Sequence, residues 1–366
     1  MKEWIVSNRS HLSIFLLFIT SLSFWVFVEF WPVLEPAFDS EVKLKASRFA
    51  ETAFQKIREI RIAKGLGLDS KLDPGLSGLI GMEISSVTSS AGKLSSKQAS
   101  VHPDFAAWFV DQFQKAGLQK GDWISAGISG SFPALNIAFF TAVDAMELKV
   151  VVIASVSSSQ YGANVPGLLW PDMENRLYQE GLIQQRTSFM TTGGIDDQGI
   201  GIGKNGLSVI QTSILKNGYP YLSSNSFEDS INQRLGIYKK KNVRLYVNIG
   251  GGSVSTGTSL GKRKIPKGLV FFGEEFSELP DSILKFYLES KIPVIHVIGI
   301  ESISEESGMY YKVGEIPKPG TSNLIVSKKY DRKLAGIFVV LLLFLIWKLS
   351  FYIELSGKQE PDSIRL

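Results

Sequence analysis

Apolar residues gather at the two ends of the chain and, between them, in short blocks separated by helical stripes. Residues 12–28 (LSIFLLFITSLSFWVFV) run without a charge, and Glu29 then interrupts an apolar stretch that reaches Leu34. Near the other end, 334–347 (LAGIFVVLLLFLIW) leads through Lys348 into LSFYI. About 20 apolar residues cross a bilayer. The pattern therefore predicts one transmembrane helix near each terminus, over 12–34 and 334–353, with Glu29 and Lys348 at an interface. Trp25, Trp31, Trp347 and Tyr352 suit the interfacial belts. The alternative for the first run is a cleaved signal peptide. Ser21-Leu22-Ser23 resembles a small-x-small cleavage site, but the apolar run continues straight past it.

Between these anchors, residues 41–64 put Phe49, Ala53, Phe54, Ile57 and Ile60 on one helical stripe, and Gly65 and Gly67 end it. This predicts a stalk helix over 41–66. Residues 67–100, rich in Gly and Ser, read as loops or short pieces. From 103 the grammar becomes regular. A helix over 103–116 carries Phe105, Trp108, Phe109 and Phe113; a strand at 123–128 follows, then a helix at 133–146 and the strand LKVVVIA at 148–154. The same order returns with a helix at 226–235, strands at 243–249 and 267–272, a helix at 280–290 and the strand PVIHVIGI at 293–300. Continuous β-branched runs mark strands buried on both faces. The prediction is an α/β domain over 67–327: a largely parallel sheet with helices on both faces. Residues 155–206 form an insertion with one helix near 171–181, and long loops inside a compact domain are usually functional or disordered.

Composition narrows the partners. At 44% hydrophobic and 20% charged, the chain is not globally disordered. A net charge of +4 over 366 residues implies no nucleic-acid footprint. The absence of cysteine excludes disulfides, thiolate catalysis and a cysteine-based zinc site. Two spans put both termini on one side of a membrane. Lys2 and Arg9 favour an inside N-terminus, whereas Lys328, Lys329, Arg332 and Lys333 before the second span favour the inside for the domain. The first helix usually dominates, which gives a two-pass plasma-membrane protein with an extracytoplasmic domain.

Three loops are candidates for chemistry. The first, GISGSFPALN at 127–136, joins a strand to a helix, where ligands bind in open α/β sheets. Pro133 suits a first helical turn and Ser131 a cap, and the amides of Ser129, Gly130 and Ser131 face the way an anion would approach; Asn136 follows on the helix. The bland reading is a capped turn. A nucleophile elbow reads G-x-S-x-G; Gly127 and Ser129 match, but Ser131 replaces the second glycine. A Ser129 triad would need His296, which sits in an apolar strand and suits a core histidine. The second loop, NIGGGSVSTGT at 248–258, offers Gly250, Gly251, Gly252, Ser253 and Ser255 as an anion-binding nest, with Lys262, Arg263 and Lys264 following as either neutralising charges or solvated surface. It is neither a Walker A nor a dinucleotide sequence. The third is the insertion, where Tyr161, Asn164, Asp172 and Glu174 give a density of recognition-type side chains and Thr191 is a second candidate nucleophile. Asp196-Asp197 amid glycines reads as a turn rather than a metal site, and neither a metal nor a cofactor is expected.

GISGSFPALNIA, SVSSSQYGANVPGLLWPDME, NIGGGSVSTG and IPVIHVIGI together resemble the poly-γ-glutamate system protein family, over about residues 40 to 320 and the flanking apolar helices. The resemblance carries no catalytic residue over. It implies a membrane-associated accessory role in making or exporting an anionic γ-linked glutamate polymer, with the synthase and export subunits, the polymer and membrane lipid as partners. The rival expectation is a hydrolase or transferase acting on γ-glutamyl chains through Ser129 or Thr191.

Overall fold

The computed structural model describes residues 8–257, 259–310 and 314–357, with side chains from residue 12 to 349 except those of 259, 260 and 275. Contacts divide the chain into two units, one made of both termini (1–36 and 327–366) and the other of residues 37–326.

In chain order the elements begin with helix α1 (Asn8–Phe30), strand β1 (Val33–Pro36), helix α2 (Ser40–Ala63), β2 (Thr88–Ser90), α3 (Leu94–Ser100) and α4 (Phe105–Lys115). Then come β3 (Trp123–Ser129), α5 (Pro133–Ala145), β4 (Lys149–Ser155), β5 (Ser158–Ser159), β6 (Asn164–Val165), β7 (Leu168–Leu169), α6 (Trp170–Gln179) and β8 (Phe189–Thr191). Next are α7 (Lys204–Lys216), α8 (Phe227–Tyr238), β9 (Val243–Ile249), α9 (Ser253–Thr256), α10 (Ser259–Lys264) and β10 (Gly268–Val270). The last are α11 (Ile283–Glu289), β11 (Val294–Val297), α12 (Ile300–Glu306), β12 (Val326–Lys329) and α13 (Arg332–Gly357).

The terminal unit is a helical pair on a two-stranded ribbon of β1 and β12. Phe24 stacks on Phe338 with centroids 4.1 Å apart, and Phe27 meets Phe338 edge-on at 5.8 Å. The hydroxyls of Thr20 and Ser23 donate to the carbonyls of Leu16 and Ile19 at 2.8 Å, so neither leaves a bare polar group on the apolar surface. Among the described residues, one helix is long and apolar enough to cross a membrane: Leu12–Phe30 of α1 has a mean hydropathy of 2.0. The second expected span lies in α13, most of whose apolar side chains from Ile337 to Trp347 are exposed; the side chains of 350–353 lie outside the described residues.

Residues 37–326 form a mixed α/β domain. Its six-stranded sheet has the order β10-β11-β9-β3-β4-β8. β10 runs antiparallel to β11; the pairings of β11 with β9, β9 with β3, β3 with β4 and β4 with β8 are parallel. Successive side chains point to opposite faces of a strand, and here both sets are buried. Ile124, Ala126, Ile128, Val150, Val152 and Ala154 join a core with α2, α4 and α5. Val151, Ile153, Tyr246 and Val294 join a second with α8 and α11. That is why the strands read as unbroken apolar runs. In the second core Tyr246 and Tyr287 stack at 4.9 Å, and Ser125 Oγ donates to Tyr287 Oη at 2.8 Å.

Two expectations need correction. The helix expected as a stalk, 41–66, is instead a core layer: α2 packs on α4 and α5 through Ala46, Ala50, Ala53 and Ile57, all fully buried, while Phe49 faces outward. Small alanines let it approach closely, and a hydrophobic stripe drawn on bulk alone misses them. The second concerns 155–206, which is not wholly an insertion outside the sheet. It delivers β8 to the sheet edge beside β4.

Candidate functional site

All five parallel strands end at one edge of the sheet. Chain order reverses there: β3 leads through α5 to β4 and on to β8 on one side, whereas β9 returns to pair with the other side of β3. A crevice opens at such a switch point because the connections leave in opposite directions. It is occupied by the first two glycine- and serine-rich loops. Ser129, at the end of β3, donates from Oγ to the carbonyl of Ile249 at the end of β9 across 3.4 Å.

The result is a cavity of about 540 Å³, within the usual range for a small-molecule site. Its walls come from Ser129, Ser131 and Phe132 after β3; Ser155, Ser157 and Ser159 after β4; Gly250 to Ser253 after β9; and Val297 to Ile300 after β11. Lys97 of α3 and Lys262 of α10 complete it, with Lys93 and Ser96 at one side. Among the described residues no Asp or Glu lines this cavity. Glu301 lies next to it, held by Lys93, Ser95 and Ser96, each at 2.8 Å. The site's charge is thus positive, and hydroxyls supply its hydrogen bonding.

Glycine is required here by geometry. Gly250 has φ +108°, and a Cβ on it would sit 2.6 Å from Ser129 Oγ. A Cβ on Gly251 would meet the Lys262 ammonium at 2.5 Å, so the lysine lies directly over the bare backbone. At Gly130 the obstacle is main chain, with the Val156 carbonyl 2.6 Å from the would-be Cβ.

Lys97 is the least expected member. Only 3% of it is exposed, yet it has no carboxylate partner among the described residues. Its Nζ donates to the Ser131 carbonyl, lies 2.9 Å from Ser159 Oγ, and sits 3.5 Å from the Phe132 ring centroid. Burial, with the Lys262 charge nearby, lowers its pKa to about 7.

The structure gathers Ser129, Ser131, Gly250, Gly251, Gly252 and Ser253 around this cavity. Gly130 is not among its walls, and Asn136 is buried, its Nδ2 donating to the Ser129 carbonyl at 2.9 Å. Ser255 is buried 3.4 Å from the Tyr246 hydroxyl. The other insertion residues serve the fold elsewhere. Tyr161 holds a turn at φ +63°, and its amide donates to Met82 at 2.8 Å. Asn164 ties Met82 and Thr88 together. Asp172 accepts from the Leu169 amide at the start of α6 and from Ser213, Asn217 and Lys216. Glu174 is fully buried and accepts from the Thr187 amide; burial raises its pKa to about 7.

Neither expected nucleophile has an imidazole partner. Thr191 is buried, donating to Asp197 Oδ1 at 2.6 Å within a network that also holds Ser155, Ser230 and Arg234. Asp197 and Arg234 form an ion pair at 2.6 Å, both nearly inaccessible. His296 Nδ1 meets Asn248 Nδ2 at 3.0 Å, and burial lowers its pKa to about 4. Asn248 Nδ2 also donates to the Gly250 carbonyl at 2.8 Å, so it meets Nδ1 as a donor and the ring proton is assigned to Nε2, which is buried with no hydrogen-bond partner among the described residues. That is a core histidine. The Asp196-Asp197 turn folds back on the site, the Asp196 amide donating to Ser253 Oγ at 2.8 Å. Among the described residues, no group of three or more His, Asp or Glu is arranged for a metal.

No protein-family model matches the chain, and no curated protein or solved structure matches it.

Proposed function

We propose that this protein is a membrane-anchored accessory component of poly-γ-glutamate synthesis or export, and that its cleft binds the carboxylates of the γ-linked polymer. The observation that carries the reading is the cleft itself: lysines and a ring of hydroxyls converge at the switch point of the sheet, with no carboxylate among them. A free α-carboxylate on each residue of such a polymer matches Lys262 over the exposed Gly251 backbone, with serine hydroxyls to donate around it.

Two-pass anchoring belongs to the same proposal. α1 and α13 stack through Phe24 and Phe338, and β1 pairs with β12 at their base, so a pair of spans entering from one side fits the ribbon. Synthase and export subunits are the partners this arrangement would serve.

The test is binding of a γ-linked glutamate hexamer to the full-length protein in detergent. One charge-assisted contact contributes about 1.5–3 kcal/mol, so Lys262→Gln weakens binding roughly tenfold or more. Affinity falls with added salt. Equal affinity for the same hexamer with its carboxyls amidated would defeat the proposal.

A further inference from the structure

Within the cleft, one lysine and one serine stand in a closer arrangement than anion binding alone requires. Lys97 Nζ donates to Ser159 Oγ, at the end of β5, across 2.9 Å, and no other side chain bonds that hydroxyl among the hydrogen bonds described. The backbone of Ser159 is fixed from the other side, its amide donating to Ser131 Oγ at 3.0 Å. A Cβ at Gly92 would meet the Gln160 carbonyl at 2.5 Å and Ser159 Oγ at 3.1 Å, so the bare Gly92 backbone packs close beside the hydroxyl. Both side chains line the cavity that carries Lys262.

We propose that Ser159 and Lys97 form a serine–lysine catalytic pair that cleaves or transfers an amide-linked acyl group, the substrate class being γ-glutamyl chains on the reading of the cleft given above. Lys97 has the features of a general base: it is buried, unpaired with any carboxylate, and held by a carbonyl that takes one N–H. A neutral amine then has its lone pair free for the Ser159 proton. As that proton moves to Nζ, Oγ attacks the carbonyl carbon, and the tetrahedral oxyanion forms in the field of the Lys262 ammonium. The C–N bond breaks as the Lys97 ammonium returns the proton to the departing amine. Water, or the amine of another chain, next attacks the Ser159 ester. Lys97 takes the proton from this nucleophile and gives it back to Ser159 Oγ as the ester bond breaks.

The charged groups around Lys97 are few. Lys262 faces it from α10 and disfavours its protonation, while Lys93 on the approach to α3 is paired with Glu301 of α12. The amine is therefore deprotonated from about neutral pH upward.

The experiment uses a fluorophosphonate on the full-length protein, with adducts located by mass spectrometry, alongside binding of the γ-linked glutamate hexamer. The expected result is an adduct on Ser159 whose rate of formation rises with pH through a midpoint near 7 to a plateau. Ser159→Ala removes it, and Lys97→Met slows it at least ~100-fold, the scale of general-base catalysis. A lysine that merely supports the fold would leave Ser159 unlabelled. Retained hexamer binding with no adduct on Ser159 at pH 9 would overturn the pair and spare the binding reading. Adduct formation without hexamer binding would uphold the pair and overturn the γ-glutamyl assignment.

Discussion

Gly250 separates backbone geometry from mere looseness, and alanine at two neighbouring positions measures it. At Gly250 the φ of +108° is one that L side chains rarely adopt, and such strain costs of order 1–3 kcal/mol. The new Cβ also stands 2.6 Å from Ser129 Oγ, which must leave its rotamer; that displacement and the contact to the Ile249 carbonyl add roughly 1 kcal/mol. Gly250→Ala should thus destabilise the domain by about 2–4 kcal/mol and weaken hexamer binding. At Gly252 φ is −61° with ψ 141°, and a Cβ meets nothing within 4 Å. Gly252→Ala should be neutral to within about 0.5 kcal/mol. Urea unfolding of the full-length protein in detergent reads both. The double variant Gly250→Ala/Ser129→Ala removes the oxygen that clashes, leaving a Cβ 3.5 Å away, and should recover about 1 kcal/mol. Equal costs at the two glycines, or no recovery in the double variant, would refute the contact between the loops.

Arg234→Met strands Asp197 in the core and should cost about 3–5 kcal/mol, whereas replacing both partners with apolar residues should recover much of it; a loss below 1 kcal/mol for Arg234→Met in urea unfolding would contradict the buried pair. Glu174 gives a pH signature. Its folded pKa, about 7, lies above the ordinary 4.5, so the folded state binds the proton more tightly and its penalty grows as pH rises from 4.5 to 7. Relative to Glu174→Gln, the wild type should lose about 3 kcal/mol between pH 4.5 and 8; a difference that stays flat across that range would mean the carboxyl is not buried as described.

Much of the fold was legible because strands buried on both faces leave an unambiguous mark. 243–249 reads the same in sequence and structure, 123–128 is one residue short, and 148–154 is shifted by one residue. β2 and β5 were not legible, being two or three residues of Ser and Thr that pair only because neighbouring loops bring them together. That the first two loops share one edge followed from the rule about carboxyl ends, although the pairing of β9 with β3 that brings them together is seen only in the structure. Lys97 did not: it lies on a seven-residue helix in a Ser-rich stretch, 32 positions before Ser129, and no spacing announces it. The insertion misled for a physical reason. Asn164, Asp172 and Glu174 are polar because buried loop backbone needs partners, not because a ligand does. Asp172 had a readable signal in its place two residues after Trp170-Pro171 begins a helix, the position of an N-terminal cap partner.

The most direct measurement is where the polymer touches the protein. A γ-linked glutamate hexamer bearing a photoreactive group, cross-linked to the full-length chain and mapped by mass spectrometry, should mark residues 127–132 and 250–262, and excess unlabelled hexamer should suppress both. Adducts confined instead to the apolar cavity between Phe54, Ile62, Val101 and Pro103, or to α1 and α13, would contradict an anion-binding cleft at the carboxyl edge of the sheet.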